Sequence, residues 1–228
     1  MRLTLTEWQD FAFVQLSAEA APDGDPRTET ESLFAEFSQA LAAEDLSLAN
    51  TVRSRIYGRD RSARDAASDV RRDALSGRAR AATSSYIAPS RFASKASVAM
   101  DLIALRPAPG LDKVIRENDP PRLPCRYLTC GPLIVFSGQT AVLPGLETQL
   151  ETDILPRLTA YLDEAGSTWK QVVRTVCYLH TSQSPKRLHE ILDNQLPCLP
   201  QRLDVRFVDG YSAEGKLVEV EVTALRER

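Results

Sequence analysis

Two segments near the end of the chain alternate strictly in polarity, Arg202 to Val208 and Leu217 to Leu225, around a turn that begins Asp209-Gly210. The alternation places Leu203, Val205 and Phe207 with Val218, Val220 and Val222 on one side of a sheet. Arg202, Asp204, Arg206, Glu219, Glu221 and Thr223 fall on the other side. This second set mixes guanidinium and carboxylate groups. A guanidinium offers a planar fork to a carboxylate, which lysine cannot copy. A carboxylate holds a water at attack distance and takes its proton. Chemistry on a small acid is within reach of such a face, and so is a plainly solvated surface, because an antiparallel sheet often keeps one wet face. In the first half the matching face reads Arg80, Ala82, Ser84 and Tyr86 against Ser97, Ala99, Asp101 and Ile103. A purely solvated face has no reason to lose its charges in this way, so the first-half face is expected to be covered by another subunit or domain.

The elements that must carry these faces repeat. In the second half, Leu133 to Phe136 reads as a strand, and Leu150, Ile154, Leu158 and Leu162 recur at helical spacing. Pro156 fits that helix if regular structure starts near Asp153, with the proline in the first turn. A strand from Val172 to Leu179, a helix opened by Ser184-Pro185 and the two alternating strands complete a β-α-β-α-β-β order. A shift of about 120 residues lays the first half on the second. Phe13 to Ser17 then falls on Leu133 to Ser137, and Phe34, Phe37 and Leu41 fall on Leu155, Leu158 and Leu162. Val52 to Tyr57 falls on Val173 to Tyr178, and Thr83 to Ile87 with Ser97 to Leu105 match the closing strands. The expected architecture is α+β, two tandem domains over 1–106 and 126–228. Each should pack two helices on one face of a mixed sheet, with a proline-rich linker over 107–125.

Composition narrows the function. The 228 residues carry 28 Lys+Arg against 31 Asp+Glu, a net charge of −3, which argues against an overall basic nucleic-acid binder. Ten arginines crowd between Arg53 and Arg91, but Asp60, Asp65, Asp69 and Asp73 interleave with them and no aromatic ladder accompanies them. The cysteines Cys125, Cys130, Cys177 and Cys198 form no close pair, and only His180 and His189 could assist them. No metal site and no cofactor is expected, and the thiols read as reduced groups in or near the core. No apolar run approaches the length of a membrane span, and the first residues have no signal-peptide core, so a cytoplasmic location is expected.

Several motifs of the second half resemble the RidA (YjgF-type) family. Leu133 to Thr140 looks like its V-x-x-S-G-Q strand, and Glu164-Ala165-Gly166-Ser167 with Val172 to Thr175 is similar to its helix end and following strand. Pro200-Gln201-Arg202 and Leu217 to Glu221 resemble its closing segments. The resemblance implies a chorismate-mutase-like fold and a homo-oligomer, either a trimer of two-domain chains or a pseudo-symmetric assembly. Its sites would lie in clefts between neighbouring domains. It also implies hydrolysis of reactive imines and enamines, such as 2-aminoacrylate, to 2-oxo acids and ammonia. By motif position Arg202 would bind the substrate carboxylate, Glu219 would position water, and Ser137 would line the pocket. Asp204 departs from the family pattern, which has a cysteine or small residue there; it either neutralises Arg202 or selects a substrate with a donor. Tyr127 is out of register with the family's upstream tyrosine. In the first half Ser17 and Arg80 persist while Ala99 replaces the glutamate, so that domain is expected to be catalytically weaker or to contribute only walls and an oligomer interface, with Arg80 and Tyr86 as its substrate-binding candidates. Two alternatives stand beside the hydrolase: a pathway-specific enzyme on a cyclic carboxylate, similar in outline to the chorismatases, and a non-catalytic small-acid binding module.

Overall fold

Helix starts along the chain are set by local chemistry. Asp25 accepts hydrogen bonds from the amides of Arg27 and Thr28, and Pro26 occupies the first helical position, opening helix α1 (Pro26–Ala42). Asp60 caps helix α2 (Arg61–Ala74) through the amide of Ala63, and Ser184 caps helix α5 (Pro185–Gln195) through the amide of Arg187. The computed structural model describes residues 1–22 and 24–227, and the chain divides into two units, Met1–Pro109 and Gly110–Arg228.

The first unit holds strands β1 (Arg2–Trp8), β2 (Phe11–Glu19), β3 (Thr51–Gly58), β4 (Ala82–Ile87) and β5 (Val98–Leu105) in the order β1-β2-β5-β3-β4. Only β3 and β4 run parallel, joined by the α2 crossover; the other pairs are antiparallel. Leu33, Phe37 and Leu41 of α1 and Ala63, Ala67 and Val70 of α2 pack on Val14, Leu16, Ile56, Met100 and Leu102.

The second unit repeats this plan. Its sheet contains β6 (Lys113–Arg116), β7 (Tyr127–Cys130), β8 (Leu133–Phe136), β10 (Val172–His180), β11 (Leu203–Val208) and β12 (Val218–Leu225), in the order β11-β10-β12-β8-β7-β6. The two-residue strand β9 (Gln139–Thr140) also pairs with β12. The parallel pair is β10 with β11, across α5. The core order β8-β12-β10-β11 matches β2-β5-β3-β4, and both sheets carry the same irregularity, between Thr51 and Arg53 in one and between Val172 and Arg174 in the other. A shared bulge is strong evidence of a common plan, since bulges interrupt pairing at specific points.

The fold is α+β, with two mixed sheets, as expected. Each unit nevertheless opens with strands beyond the β-α-β-α-β-β order: β1 in the first, β6 and β7 in the second. Lys113–Arg116 falls inside the segment expected as a linker, yet it pairs in register with β7, from Lys113 opposite Cys130 to Arg116 opposite Tyr127. The helix around Pro156 starts at Leu146, earlier than expected. It runs as α3 (Leu146–Gln149), widens into a π turn over Leu150–Ile154 and continues as α4 (Leu155–Glu164). Proline has no amide to give the carbonyl four residues back, and an i→i+5 turn accommodates the missing bond. Phe207, expected in the core, is half exposed because β11 is an edge strand, whereas Val218, Val220 and Val222 are fully buried.

Candidate active site

The face of the second sheet away from its helices carries Arg174 and Tyr178 from β10, Asp204 and Arg206 from β11, and Glu219 and Glu221 from β12. Asp204 lies between two guanidinium groups. One carboxylate oxygen accepts from Nε and Nη2 of Arg174 at 2.9 and 2.7 Å, and the other accepts from Nε of Arg202 at 3.1 Å. Two cations surround one anion, so the trio keeps a net positive charge. Arg202 is held through Nε alone and its side chain is 66% exposed, which leaves its two terminal nitrogens for another acceptor. Asp204 therefore orients Arg202 instead of cancelling it.

Burial opposes ionisation of Asp204, but hydrogen bonds from Arg174 and then Arg202 outweigh it and hold the carboxyl below the usual aspartate range. A lowered folded-state value means that the stabilisation is complete above the unfolded aspartate value of about 4 and is lost as pH falls through the folded-state value. Urea unfolding of the wild type and Asp204→Asn should therefore differ most at neutral pH and converge in acid below about pH 4.

Glu219 belongs to a second cluster. It stands opposite Tyr178 on one side and Thr140 on the other, and only 6% of it is exposed. Its carboxylate lies over Gly138, where a β-carbon would come 2.0 Å from Oε1. Ser137, the preceding residue, is fully buried; its amide donates to the carbonyl of Arg126, and its hydroxyl lies 3.6 Å from Sγ of Cys125. Tyr211 donates to the carbonyl of Tyr178 at 2.9 Å. Burial first, then the neighbouring Glu219 charge, pushes its phenol well above the ordinary value. Glu219 thus packs over Gly138, the residue after Ser137, and Arg202 and Asp204 meet at the edge strand.

The two clusters do not meet within the unit. Arg206, and not Arg202, stands in register with Tyr178 and so with Glu219. Arg202 lies four residues back along the strand, about 13 Å at 3.3 Å per residue. The exposed Arg206 instead leans on Tyr178, its Nη1 3.5 Å from the phenol oxygen.

Backbone pairing also corrects the first-half correspondences. Ala82 pairs with Arg53 on the parallel edge, so it takes the place of Arg202, and Tyr86 takes that of Arg206. Arg80 precedes β4, directly after the short turn Gly77–Ala79, and is not the counterpart of Arg202. Ala99 does stand where Glu219 stands, opposite Tyr57 as Glu219 is opposite Tyr178. Tyr86 is fully buried, its ring 5.7 Å from that of Tyr57. The polar centre of this face is Asp101, unassigned in the sequence reading. It accepts from the Ser17 hydroxyl at 2.7 Å, the Tyr57 phenol at 2.9 Å and Nη2 of Arg91 at 2.6 Å. Arg91 lies 4.0 Å over the Tyr57 ring. The sequence offered Asp101 as a face residue and Arg91 only as one of many arginines; nothing in its spacing joined them.

No family profile and no curated protein matches the chain. Solved structures do. A member of the YjgF/YER057c/UK114 family from Mycobacterium tuberculosis aligns at 25% identity and a TM-score of 0.43, over 50% of this chain and 99% of that one. A protein of the Rid family from Yersinia pestis aligns at 21% identity and a TM-score of 0.44, over 50% and 99%. A chorismatase aligns at 15% identity and a TM-score of 0.65, over 97% of this chain and 77% of that one. The chain has the chorismatase fold.

Within the chorismatase fold, this chain spends most of its crowded arginines on structure. Arg53, Arg55 and Arg71 are buried, Arg71 donating to the carbonyl of Ser84, and Arg59 binds the carbonyls of Ala96 and Ser94. Arg64 pairs with Asp65 and the Ser85 hydroxyl, and Arg72 with Asp69. Such groups do not form an open phosphate-binding stripe. Three cysteines, Cys125, Cys130 and Cys177, are buried and in no disulfide, and burial pushes the Cys177 thiol up to about 12. A thiol so raised stays protonated and is a poor nucleophile at neutral pH. No described helix is long and apolar enough to cross a membrane.

Proposed function

We propose that this chain hydrolyses a small imine or enamine bearing a carboxylate, of the 2-aminoacrylate type, to a 2-oxo acid and ammonia. The observation that carries this reading is the Asp204 clamp, which fixes Arg202 through Nε and leaves its terminal fork exposed. A fork held in this way is preorganised for a carboxylate, so little ordering remains to be done on binding. In the proposed reaction an enamine first tautomerises to its imine. Water then adds to the imine carbon while Glu219 takes one of its protons and passes it to nitrogen, giving a carbinolamine. The carbinolamine hydroxyl proton goes by the same route to nitrogen as the C–N bond breaks, leaving the 2-oxo acid and ammonia. Ser137 precedes Gly138, over which the Glu219 carboxylate lies. Arg202 and Glu219 lie too far apart in one unit for a three-carbon acid to reach both. The substrate is therefore anchored by Arg202 on the edge strand of one chain and attacked beside Glu219 of a neighbouring chain in a homo-oligomer.

A second reading is favoured by the full-length likeness to a chorismatase: hydrolysis of a cyclic carboxylate, with Arg202 again as the acid anchor. Both readings are tested by incubating the purified chain with 2-iminopropionate generated in place, following ammonia release, and with chorismate, following its loss. The wild type should accelerate ammonia release over the spontaneous rate, and Arg202→Ala should slow it by about 10- to 100-fold, as expected for a lost charged hydrogen bond. Chorismate turnover without imine turnover selects the second reading. Tight binding of a 2-oxo acid with neither turnover overturns both and makes the chain a small-acid binding module.

A further inference from the structure

The first unit contains an open groove of about 610 Å³ whose lining includes Arg2, Ser17, Glu19, Arg91 and Ser94. Every group in it belongs to the first unit, whereas Arg202 and Glu219 belong to the second. Ser17 and Glu19 alternate on β2 on the face away from the helices, about 7 Å apart along the strand. Arg2 pairs opposite Ser17 and so shares that face.

Two opposite charges are fixed in place here. Arg91 enters from the short turn Pro89–Arg91 and gives Nη2 to Asp101 at 2.6 Å and to Ser17 at 3.2 Å, with its plane over Tyr57. Its Nε is buried and its Nη2 is engaged by Asp101 and Ser17, so on a side chain 31% exposed Nη1 is the nitrogen of the fork left for a ligand. Glu19 accepts from the amides of Ala93 and Ser94 at 2.8 and 2.9 Å and from the Ser94 hydroxyl at 2.6 Å. These bonds, that from Ala93 foremost, keep its carboxyl ionised below the usual range, and its oxygens retain lone pairs for a further donor.

Both signs of charge face the groove: Arg2 and Arg91 line it as cations and Glu19 as an anion, with Asp101 behind Arg91. A simple anion would meet Glu19, and a simple cation would meet Arg91. A molecule carrying both signs on one carbon satisfies both at once. We propose that this groove binds a small α-amino acid as its zwitterion, the carboxylate on Arg91 and the ammonium on Glu19.

Titration calorimetry of the full chain tests this with L-alanine as probe and with propionate and ethylamine as its two halves. L-Alanine should bind at millimolar or lower concentration, and each half about tenfold more weakly or worse. Glu19→Gln keeps the side chain's size and an acceptor for the 93–94 loop, and should weaken L-alanine by about tenfold or more, as should Arg91→Ala. Circular dichroism checks that each variant is folded, and Glu19→Gln decides the matter if Arg91→Ala is not. Arg202→Ala should leave the affinity within about twofold, which keeps this test apart from the hydrolase reading. No uptake of L-alanine by the wild type, propionate binding as tightly as L-alanine, or unchanged affinity in folded Glu19→Gln would overturn the proposal.

Discussion

Gly138→Ala is expected to abolish turnover while leaving the protein folded. A β-carbon at this position would lie 2.0 Å from Oε1 of Glu219, 2.6 Å from its Cδ and 2.9 Å from its Cγ. No small adjustment relieves three contacts of that kind, so the Glu219 side chain must adopt another rotamer. With only 6% of the residue exposed, a new rotamer takes the carboxylate out of its place over Gly138. A general base contributes about 10²- to 10⁴-fold, and a displacement of even 1 Å is costly, so Gly138→Ala should resemble Glu219→Gln in its loss of ammonia release. Stability should fall by only about 1–3 kcal/mol, because a buried side chain and not backbone has to give way. Full activity in Gly138→Ala beside an inactive Glu219→Gln would show that the carboxylate works from another position.

The repeat was readable because the fold constrains apolar positions more tightly than identities. Val14, Leu16, Ile56 and Met100 answer Ile134, Phe136, Cys177 and Val220 as buried positions on the helix-covered face, although none of these pairs is identical. The added strands were not readable for different reasons. Arg2–Trp8 alternates well, but an isolated edge strand gains its meaning only from its partner. Lys113–Arg116 is short and flanked by prolines that signal a linker, and only its pairing with β7 makes it part of a sheet. The π turn before Pro156 answers a hydrogen bond that the proline cannot make; helical periodicity records the face of the side chains and not this change in backbone bonding.

The candidate site was legible as a face but not as a register. Alternation has a period of two, so sliding one strand by two residues returns every side chain to the same face. That is why Arg80 passed for the counterpart of Arg202: the true counterpart, Ala82, is two residues on and lies on the same side. The same degeneracy put Arg202 and Glu219 on one face without fixing their separation along the strands, which the pairing of Tyr178 with both Arg206 and Glu219 supplies. Asp204 illustrates the remaining gap. Its effect on Arg202 depends on which guanidinium nitrogen it occupies and on the second cation, Arg174, from a neighbouring strand. Neither is encoded in the spacing of residues 202 and 204.

Gly58→Ala should be among the most damaging single-methyl changes in the first unit. Gly58 ends β3 on the helix side of the sheet, and a β-carbon there would lie 2.4 Å from the backbone nitrogen of Arg64 and 2.6 Å from its Cα. Backbone in the first turn of α2 cannot swing aside as a side chain does, so the helix must lift from the sheet as a body. In the second unit the corresponding residue is Leu179, which stands opposite Val218 as Gly58 stands opposite Val98. The helices differ in the complementary sense: α2 buries Ala63, Ala67 and Val70, whereas α5 buries Leu188, Ile191 and Leu192. The first unit thus gains its packing by bringing a small-faced helix close to a glycine, and the second by filling a wider gap with leucines. Overpacking of a tight contact typically costs about 1–3 kcal/mol, and this contact, being backbone against backbone, should fall at or above the upper end. Urea unfolding should show the loss as a lower midpoint with an unchanged slope for the transition of the first unit. An unchanged midpoint would mean that α2 does not approach β3 this closely.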